Sequence, residues 1–384
     1  MTRILITGGA GFIGANLVAD LFAKGHEITV FDNLSEQIHG SDPESSPLYL
    51  AVRDKVRFIR RSICDRDAME TALVGQEVVV HYAAETGTGQ SMYMVEHYTK
   101  VNIQATSMML DILGSHKDHG IKRMIVASSR SIYGEGKYLN ANGDPAYPDH
   151  RREADMLAGR FDLYDGSGAP LTLTATDESS LIHPSSVYGI TKQVQEQLVM
   201  TVCPLLGIEP VALRYQNVYG PGQSLSNPYT GILSIFSNLI MQGKAINIFE
   251  DGLESRDFVF IDDVVDATVR AIEQPAAAGH VFNVGSGVQT TVLTVVDLLL
   301  MAFGADTPCK VTGNFRLGDI RHNYADLSLI TSRLGFQPRV PFPEGIRRFA
   351  EWAATQGPKS SAYESSLAEM KERGLMREAD GASN

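Results

Sequence analysis

The segment RILITGGAGFIGANLVADLFAKGHEITVFDN, residues 3 to 33, constrains the fold more than any other stretch. Ile4, Leu5 and Ile6 form an unbroken apolar run, the pattern of a strand buried on both faces. Gly8, Gly11 and Gly14 follow at GxxGxxG spacing, with Phe12 and Ile13 between the last two. Glycine allows the tight turn and lets backbone N–H groups approach a pyrophosphate at a helix N-terminus, where the dipole favours an anion. Leu17, Val18 and Leu21 continue an apolar helical face that Gly25 ends, and a second strand, Ile28 to Phe31, finishes at Asp32 and Asn33. This order predicts an α/β protein of the Rossmann type: a doubly wound parallel sheet with helices on both faces.

Asp32 names the ligand more closely. An acidic residue there accepts both ribose hydroxyls of an adenosine and repels a 2′-phosphate, which favours NAD over NADP. A formal net charge of −12 argues against general nucleic-acid binding, which needs concentrated Lys and Arg. The one short basic run, His150-Arg151-Arg152, is followed at once by Glu153 and Asp155 and reads as a solvated loop. Cys64, Cys203 and Cys309 are far apart, with no CxxC spacing, so no metal site is expected and a reducing, cytoplasmic location is. Ile4 to Ile6 is too short for the apolar core of a leader, and Val292 to Phe303, interrupted by Asp297, is too short to cross a bilayer. No membrane partner is expected.

SSVYGITKQVQEQL places Tyr188 and Lys192 four apart, on one face of a helix. A phenol titrates near pH ~10, too high for a base at neutral pH. A nearby ammonium and a cationic nicotinamide both favour the phenolate. The bland reading of a lone YxxxK is an exposed helix pair, and the glycine turn weighs against it. GxxGxxG with YxxxK resembles the short-chain dehydrogenase/reductase superfamily, and the length and later motifs resemble its extended branch, the sugar-nucleotide epimerases and dehydratases. The resemblance runs from Arg3 to about Trp352.

That resemblance implies further roles. Ser129, four before Tyr133 in an SxxxYG pattern, matches the family's catalytic Ser or Thr. The dehydratases resemble one another in an Asp-Glu pair directly after it; here those positions hold Arg130 and Ser131. Arginine cannot exchange protons at ordinary pH, so the elimination machinery is missing. A Ser-Tyr-Lys oxidation centre without an acid-base pair implies a sugar-nucleotide epimerase inverting C4 through a 4-keto sugar. A decarboxylase or dehydrogenase on the same substrates, with Arg130 and Arg321 holding a uronate carboxylate, is the alternative. An NAD-sensing scaffold is a third, disfavoured by the complete triad.

On the cofactor side, the resemblance assigns Ala83 and Ala84 beside the adenosine, Ser62 and Ile63 near the adenine, and Asn102. Ser62 stands where many relatives have Asp. His81 is expected to pack against the cofactor domain. On the substrate side stand Thr86 and Ser91; the Glu85-to-Gln90 loop, together with Ser91 and Met92, looks like that of epimerases acting on deoxysugar nucleotides, especially the dTDP-L-rhamnose 4-epimerase type. Arg130, Ser131, Asn217 and Asn227 join them, Asn227-Pro228-Tyr229 shaping the nucleotide side, and Gln216 replaces the usual aromatic. Arg256 and Arg321 match positions where arginines meet a diphosphate, which a guanidinium fork suits; either could instead pair with the adjacent Asp257 or Asp319.

The resemblance divides the chain into an NAD-binding part, 1–216 with about 256–285, and a sugar-nucleotide part, about 217–255 with 286–355. An insertion at 135–183, rich in Gly, Pro, Asp and Asn and without cysteine, is expected to pack as a lid or edge flap. A polar tail, 356–384, is expected to hold a short helix from Leu367 to Met376. A homodimer is implied as well.

Overall fold

A computed structural model describes every residue except 117, 228, 230, 360–362 and 379–384. Pro228 and those parts of the tail therefore lie outside the described residues. Seven strands form the central sheet: β1 (Arg3–Thr7), β2 (Glu27–Asp32), β3 (Arg57–Arg60), β4 (Val78–His81), β5 (Arg123–Ser129), β6 (Glu209–Tyr215) and β7 (Val281–Val284). All neighbours run parallel, in the order β3-β2-β1-β4-β5-β6-β7. The order reverses between β1 and β4, and a crevice opens at such a reversal, beyond the carboxyl ends of the strands.

The unbroken apolar runs follow from burial on two faces. Ile4 and Ile6 enter the core on one side, Leu5 the core on the other. The principal helices are α1 (Phe12–Ala23), α2 (Ala105–Ser115), α3 (Val187–Val202), α4 (Ile232–Met241), α5 (Ile261–Glu273), α6 (Val292–Phe303), α7 (Phe342–Gln356) and α8 (Tyr363–Glu372). Leu17, Val18 and Leu21 of α1 and Val264 of α5 share the first core with Phe236 of α4, Leu299 of α6 and Phe349 of α7. Met109 and Leu113 of α2 and Val199 of α3 belong to the second. The apolar run from Val292 is thus a helix buried along one side, and no described helix is long and apolar enough to cross a membrane. Among the described residues, no group of three or more His, Cys, Asp or Glu could hold a metal ion.

After β6 the chain weaves. Asn217–Tyr219 pairs in parallel with Phe258–Phe260, and Ile246–Ile248 with Cys309–Val311. Within the insertion, Tyr138–Leu139 pairs antiparallel with Pro145–Ala146 and with Thr172–Leu173.

Two expectations need correction. The basic run is not uniformly solvated: the Arg152 side chain is 82% exposed, but that of Arg151 only 3%. Arg151 donates to both carboxylate oxygens of Glu250 at 2.7 and 2.9 Å, tying the insertion to the loop after Ile246–Ile248. The tail helix runs Tyr363–Glu372, beginning four residues before the expected start, and Met376–Arg377 is a strand antiparallel to Phe315–Arg316.

Candidate active site

One cavity of about 930 Å³ follows the crevice. At its floor, Gly8 has φ +69°, and a Cβ there would sit 2.7 Å from the Ala83 nitrogen; a Cβ on Gly14 would sit 2.5 Å from the Gly8 carbonyl oxygen. The turn and the crossing of the chain after β1 past that after β4 therefore close only around glycine. Gly11 caps α1 without a side-chain hydrogen bond, so the first-turn N–H groups face no competing side chain. Asp32, at the end of β2, accepts from Ala10 N and Leu34 N, one per carboxylate oxygen, at 3.0 and 2.8 Å. Each oxygen keeps a lone pair for a hydroxyl. Burial raises the Asp32 carboxyl, and these two bonds oppose the rise. This cradle fits a dinucleotide of the NAD type.

Of the sequence-derived cofactor residues, Gly8, Gly11, Phe12, Ile13 and Gly14 line the cavity, as do Asp32, Asn33, Ser62, Ile63, Ala83 and Ala84. Asn102 does not. It is fully buried and holds Glu85 at both backbone ends (2.8 and 3.1 Å) while donating to Thr191 of α3 at 2.9 Å. It therefore joins the loop at Glu85 to the helix carrying Tyr188.

Tyr188 and Lys192 project from the first turns of α3, which Ser186 caps by accepting from Gly189 N at 3.1 Å. Ser129 ends β5, and its hydroxyl is hydrogen-bonded to Tyr188. Burial raises the Tyr188 phenol above its ordinary range, while that hydrogen bond and the Arg130 charge favour the phenolate. Lys192 is 2% exposed, and burial pushes its ammonium down to about 7 against the pull of Glu196. Its Nζ donates to Gln195 Oε1, whose amide nitrogen contacts His81 Nε2 and donates to Thr106 at 2.9 and 3.0 Å. Burial, with Lys192 nearby, pushes His81 down to about 3, so it is neutral; Nε2 accepts from Gln195, and Nδ1–H donates to Thr7 at 2.8 Å.

The expected substrate residues divide. Thr86, Arg130, Ser131, Asn217 and Arg256 line the cavity. Arg130 Nε donates to Asn217 Oδ1 at 2.8 Å; burial, with Arg256 close by, pushes Arg130 down to about 10, still charged at neutral pH. Ser91, Asn227 and Arg321 do not line it. Ser91 is fully buried and accepts from Tyr188 N at 3.0 Å, fixing the start of α3. Asn227 accepts from Tyr229 N at 3.0 Å within its own loop. Arg321 is 1% exposed and pairs with Asp251, Asp162 and Glu250 at 2.7 to 3.1 Å.

A cation absent from the sequence reading stands in the cavity instead. Arg316 lines it with Arg256, and both reach Asp319, at 3.2 and 2.9 Å. Against the upward push of burial, Arg316, Arg256, Arg151 and Arg130 hold Asp319 well below the usual carboxylate range. Gln216, in the same wall, is 4% exposed, and neither end of its amide has a hydrogen-bond partner.

Residues 4–154 and 163–285 match the NAD dependent epimerase/dehydratase family. The chain is 37% identical over 357 residues to dTDP-L-rhamnose 4-epimerase of Burkholderia thailandensis, covering 92% of this chain and 95% of that one. It is 31% identical to UDP-glucose 4-epimerase of Mycolicibacterium smegmatis, covering 91% and 98%. Among solved structures, UDP-glucose 4-epimerase of Thermotoga maritima with UDP-glucose superposes with a TM-score of 0.74 at 30% identity, covering 92% of this chain and 99% of that one. UDP-glucuronic acid 4-epimerase of Bacillus cereus, in complex with UDP-glucuronic acid and NAD, gives 0.75 at 25% identity with the same coverage. The glycine cradle, the switch-point cavity and the match across most of the length agree, and the chain belongs to the NAD dependent epimerase/dehydratase family.

Proposed function

We propose that this protein is an NAD-dependent nucleotide-sugar 4-epimerase. The observation that carries the reading is a Ser129-Tyr188-Lys192 set on the cavity whose flanking positions, Arg130 and Ser131, offer no acid-base pair for elimination. Bound NAD would supply the acceptor for the C4 hydride and, later in the same turnover, its donor. Tyr188, as phenolate, takes the C4 hydroxyl proton and returns it to the alkoxide formed on the other face. Ser129 hydrogen-bonds the reacting oxygen, and the Lys192 charge favours the phenolate. Arg256 and Arg316 meet the diphosphate, and Gln216 offers a donor and an acceptor that sugar hydroxyls would satisfy.

The cofactor part is taken as 1–216 with 256–285 and the sugar-nucleotide part as 217–255 with 286–355. The weaving of the chain after β6 supports that division. A cytoplasmic homodimer is the accompanying assignment. Three free cysteines support the compartment, and a partly exposed line of Ile190, Val194 and Leu198 along α3 supports self-association; light scattering tests the latter.

The decisive experiment incubates the purified protein, with the NAD it retains, with UDP-, dTDP-, GDP- and CDP-sugars in deuterated water, followed by NMR. A C4 epimer without net NADH and without deuterium at carbon is expected, and Tyr188→Phe abolishes it. Stoichiometric NADH or released carbon dioxide would overturn the epimerase reading in favour of a dehydrogenase or decarboxylase.

A further inference from the structure

The tail helix α8 is part of the cavity. Tyr363, Ser366, Leu367 and Met370 all line it, at i, i+3, i+4 and i+7, so one face of the helix is turned inward. The two ends of that face meet different parts of the site. Tyr363 lies within the field of Arg316, which pairs with Asp319 as Arg256 does, and all four line the cavity. Met370 Sδ is 3.5 Å from the point where a Cβ on Gly89 would stand, in the loop that also brings Thr86 to the cavity.

The segment is fastened on three sides. Asn238 of α4 accepts from Lys359 N and donates to Lys359 O, at 2.9 and 3.0 Å, where the chain leaves α7. Glu369, on the flank of α8, accepts from Tyr93 at 3.2 Å; the same phenol meets the Tyr229 hydroxyl at 2.6 Å, and Arg373 stacks 4.3 Å over its ring. Beyond the helix, Arg316 pairs in register with Met376, and Arg377 bonds Glu153 of the insertion. The tail therefore bridges the loops around Tyr93 and Tyr229, the arginine strand and the insertion.

We propose that α8 is the outer wall of the substrate site, with Tyr363 packing against the nucleoside-diphosphate end and Leu367 and Met370 against the sugar, so that this face sets substrate affinity and sugar selectivity. The proposal rests on the nucleotide-sugar reading above for its ligand. An apolar helix face seated over the ligand removes water from both, and its contribution is to binding, leaving the chemistry of Tyr188 unchanged.

The test measures calorimetric dissociation constants of the NAD-loaded protein for UDP, dTDP, UDP-glucose and dTDP-glucose. The full chain is compared with a chain ending at Gly357 and with Tyr363→Ala and Met370→Ala. The shortened chain is expected to bind all four ligands at least ten-fold more weakly while retaining its NAD. Tyr363→Ala is expected to weaken nucleoside diphosphates and sugar nucleotides alike, several-fold. Met370→Ala is expected to change only the sugar nucleotides, altering their ratio to the free diphosphates. Should the shortened chain unfold, the two point variants carry the test, since both side chains line the cavity. Constants within two-fold of the full chain in both point variants, or no binding of UDP or dTDP by the full chain, would overturn the proposal. Because titration needs no turnover, a chain that binds through this wall yet epimerises nothing sinks the functional reading alone, and one that epimerises with unchanged constants sinks the wall alone.

Discussion

Ser131 donates twice to Ser129, through its backbone N–H at 3.1 Å and its hydroxyl at 2.9 Å. With two donors on its oxygen, Ser129 is left to give its own proton to the Tyr188 oxygen, the direction that stabilises a phenolate. On the proposed role of Tyr188 as base, Ser131 is a positioning residue. Removing its hydroxyl bond in Ser131→Ala, worth about 1 kcal/mol, is expected to lower kcat roughly five- to ten-fold. It should also move the acidic limb of the kcat–pH profile to higher pH, with Ser131→Thr restoring both. A limb that stays in place would reduce Ser131 to a structural role.

Lys192 predicts how the cofactor-free protein responds to pH. Its folded pKa, about 7, lies below the unfolded 10.5, so between those values the unfolded chain binds the extra proton. Stability therefore rises with pH in that window, by at most about 1.4 kcal/mol per pH unit. The clean range is pH 7.5 to 8.5 (~), above the region where Glu135 and Glu254, raised by burial to about 7, titrate, and below that where Cys203, pushed up by burial to about 12, pulls the other way. The midpoint of thermal unfolding is expected to climb across this range in the wild-type chain and to lose that slope in Lys192→Met. Parallel slopes in the two proteins would refute the assignment.

The elements legible in sequence were those whose partners lie nearby or follow a fixed spacing. The β1–glycine–α1–β2 order, Asp32 and the Tyr188/Lys192 pair needed only a short window. Arg316 and Arg321 show where that legibility stops. Five residues apart on one segment, they part company: Arg316 faces the cavity, and Arg321 is taken by Asp251 and Asp162, 70 and 159 residues away. Arg151 was hidden in the same way, its partner Glu250 being 99 residues distant. Ser91 and Asn102, expected at the substrate and the cofactor, are buried and turn inward, to Tyr188 N and to Thr191. The polar composition of the tail gives no hint of a place in the cavity. Only its helical spacing at Tyr363, Ser366, Leu367 and Met370 carried the signal.

Gly14 offers a prediction about cofactor retention. A methyl group there would meet the Gly8 oxygen at 2.5 Å and Gly9 Cα at 2.6 Å, both backbone atoms that move only by opening the turn. Gly14→Ala is expected to fold, because the core beneath α1 is untouched, but to be purified without NAD and to bind it about a hundred-fold more weakly. Release of NAD(H) on denaturation, quantified by absorbance, gives the answer. Full occupancy in the variant would mean that the turn is not the cradle.

Glu250 is the hinge of the buried ionic cluster that holds the insertion. It is 5% exposed, sits at φ +47° and receives Arg151 at 2.7 and 2.9 Å and Arg321 at 3.1 Å. Arg321 keeps Asp251 and Asp162 if Glu250 is neutralised, whereas Arg151 falls back on Glu135 at 3.4 Å and one carbonyl. Glu250→Gln therefore leaves Arg151 with only the longer Glu135 pair and the field of Asp319, at a cost below the ~3–5 kcal/mol of a wholly unpaired buried charge. Its signature is local: limited proteolysis should cut first within residues 140–175, the insertion that Arg151 anchors. Adding Arg151→Met removes the under-paired charge and is expected to recover part of the lost stability. Equal stability of Glu250→Gln and the wild type in urea would show that the pair contributes nothing to holding the insertion.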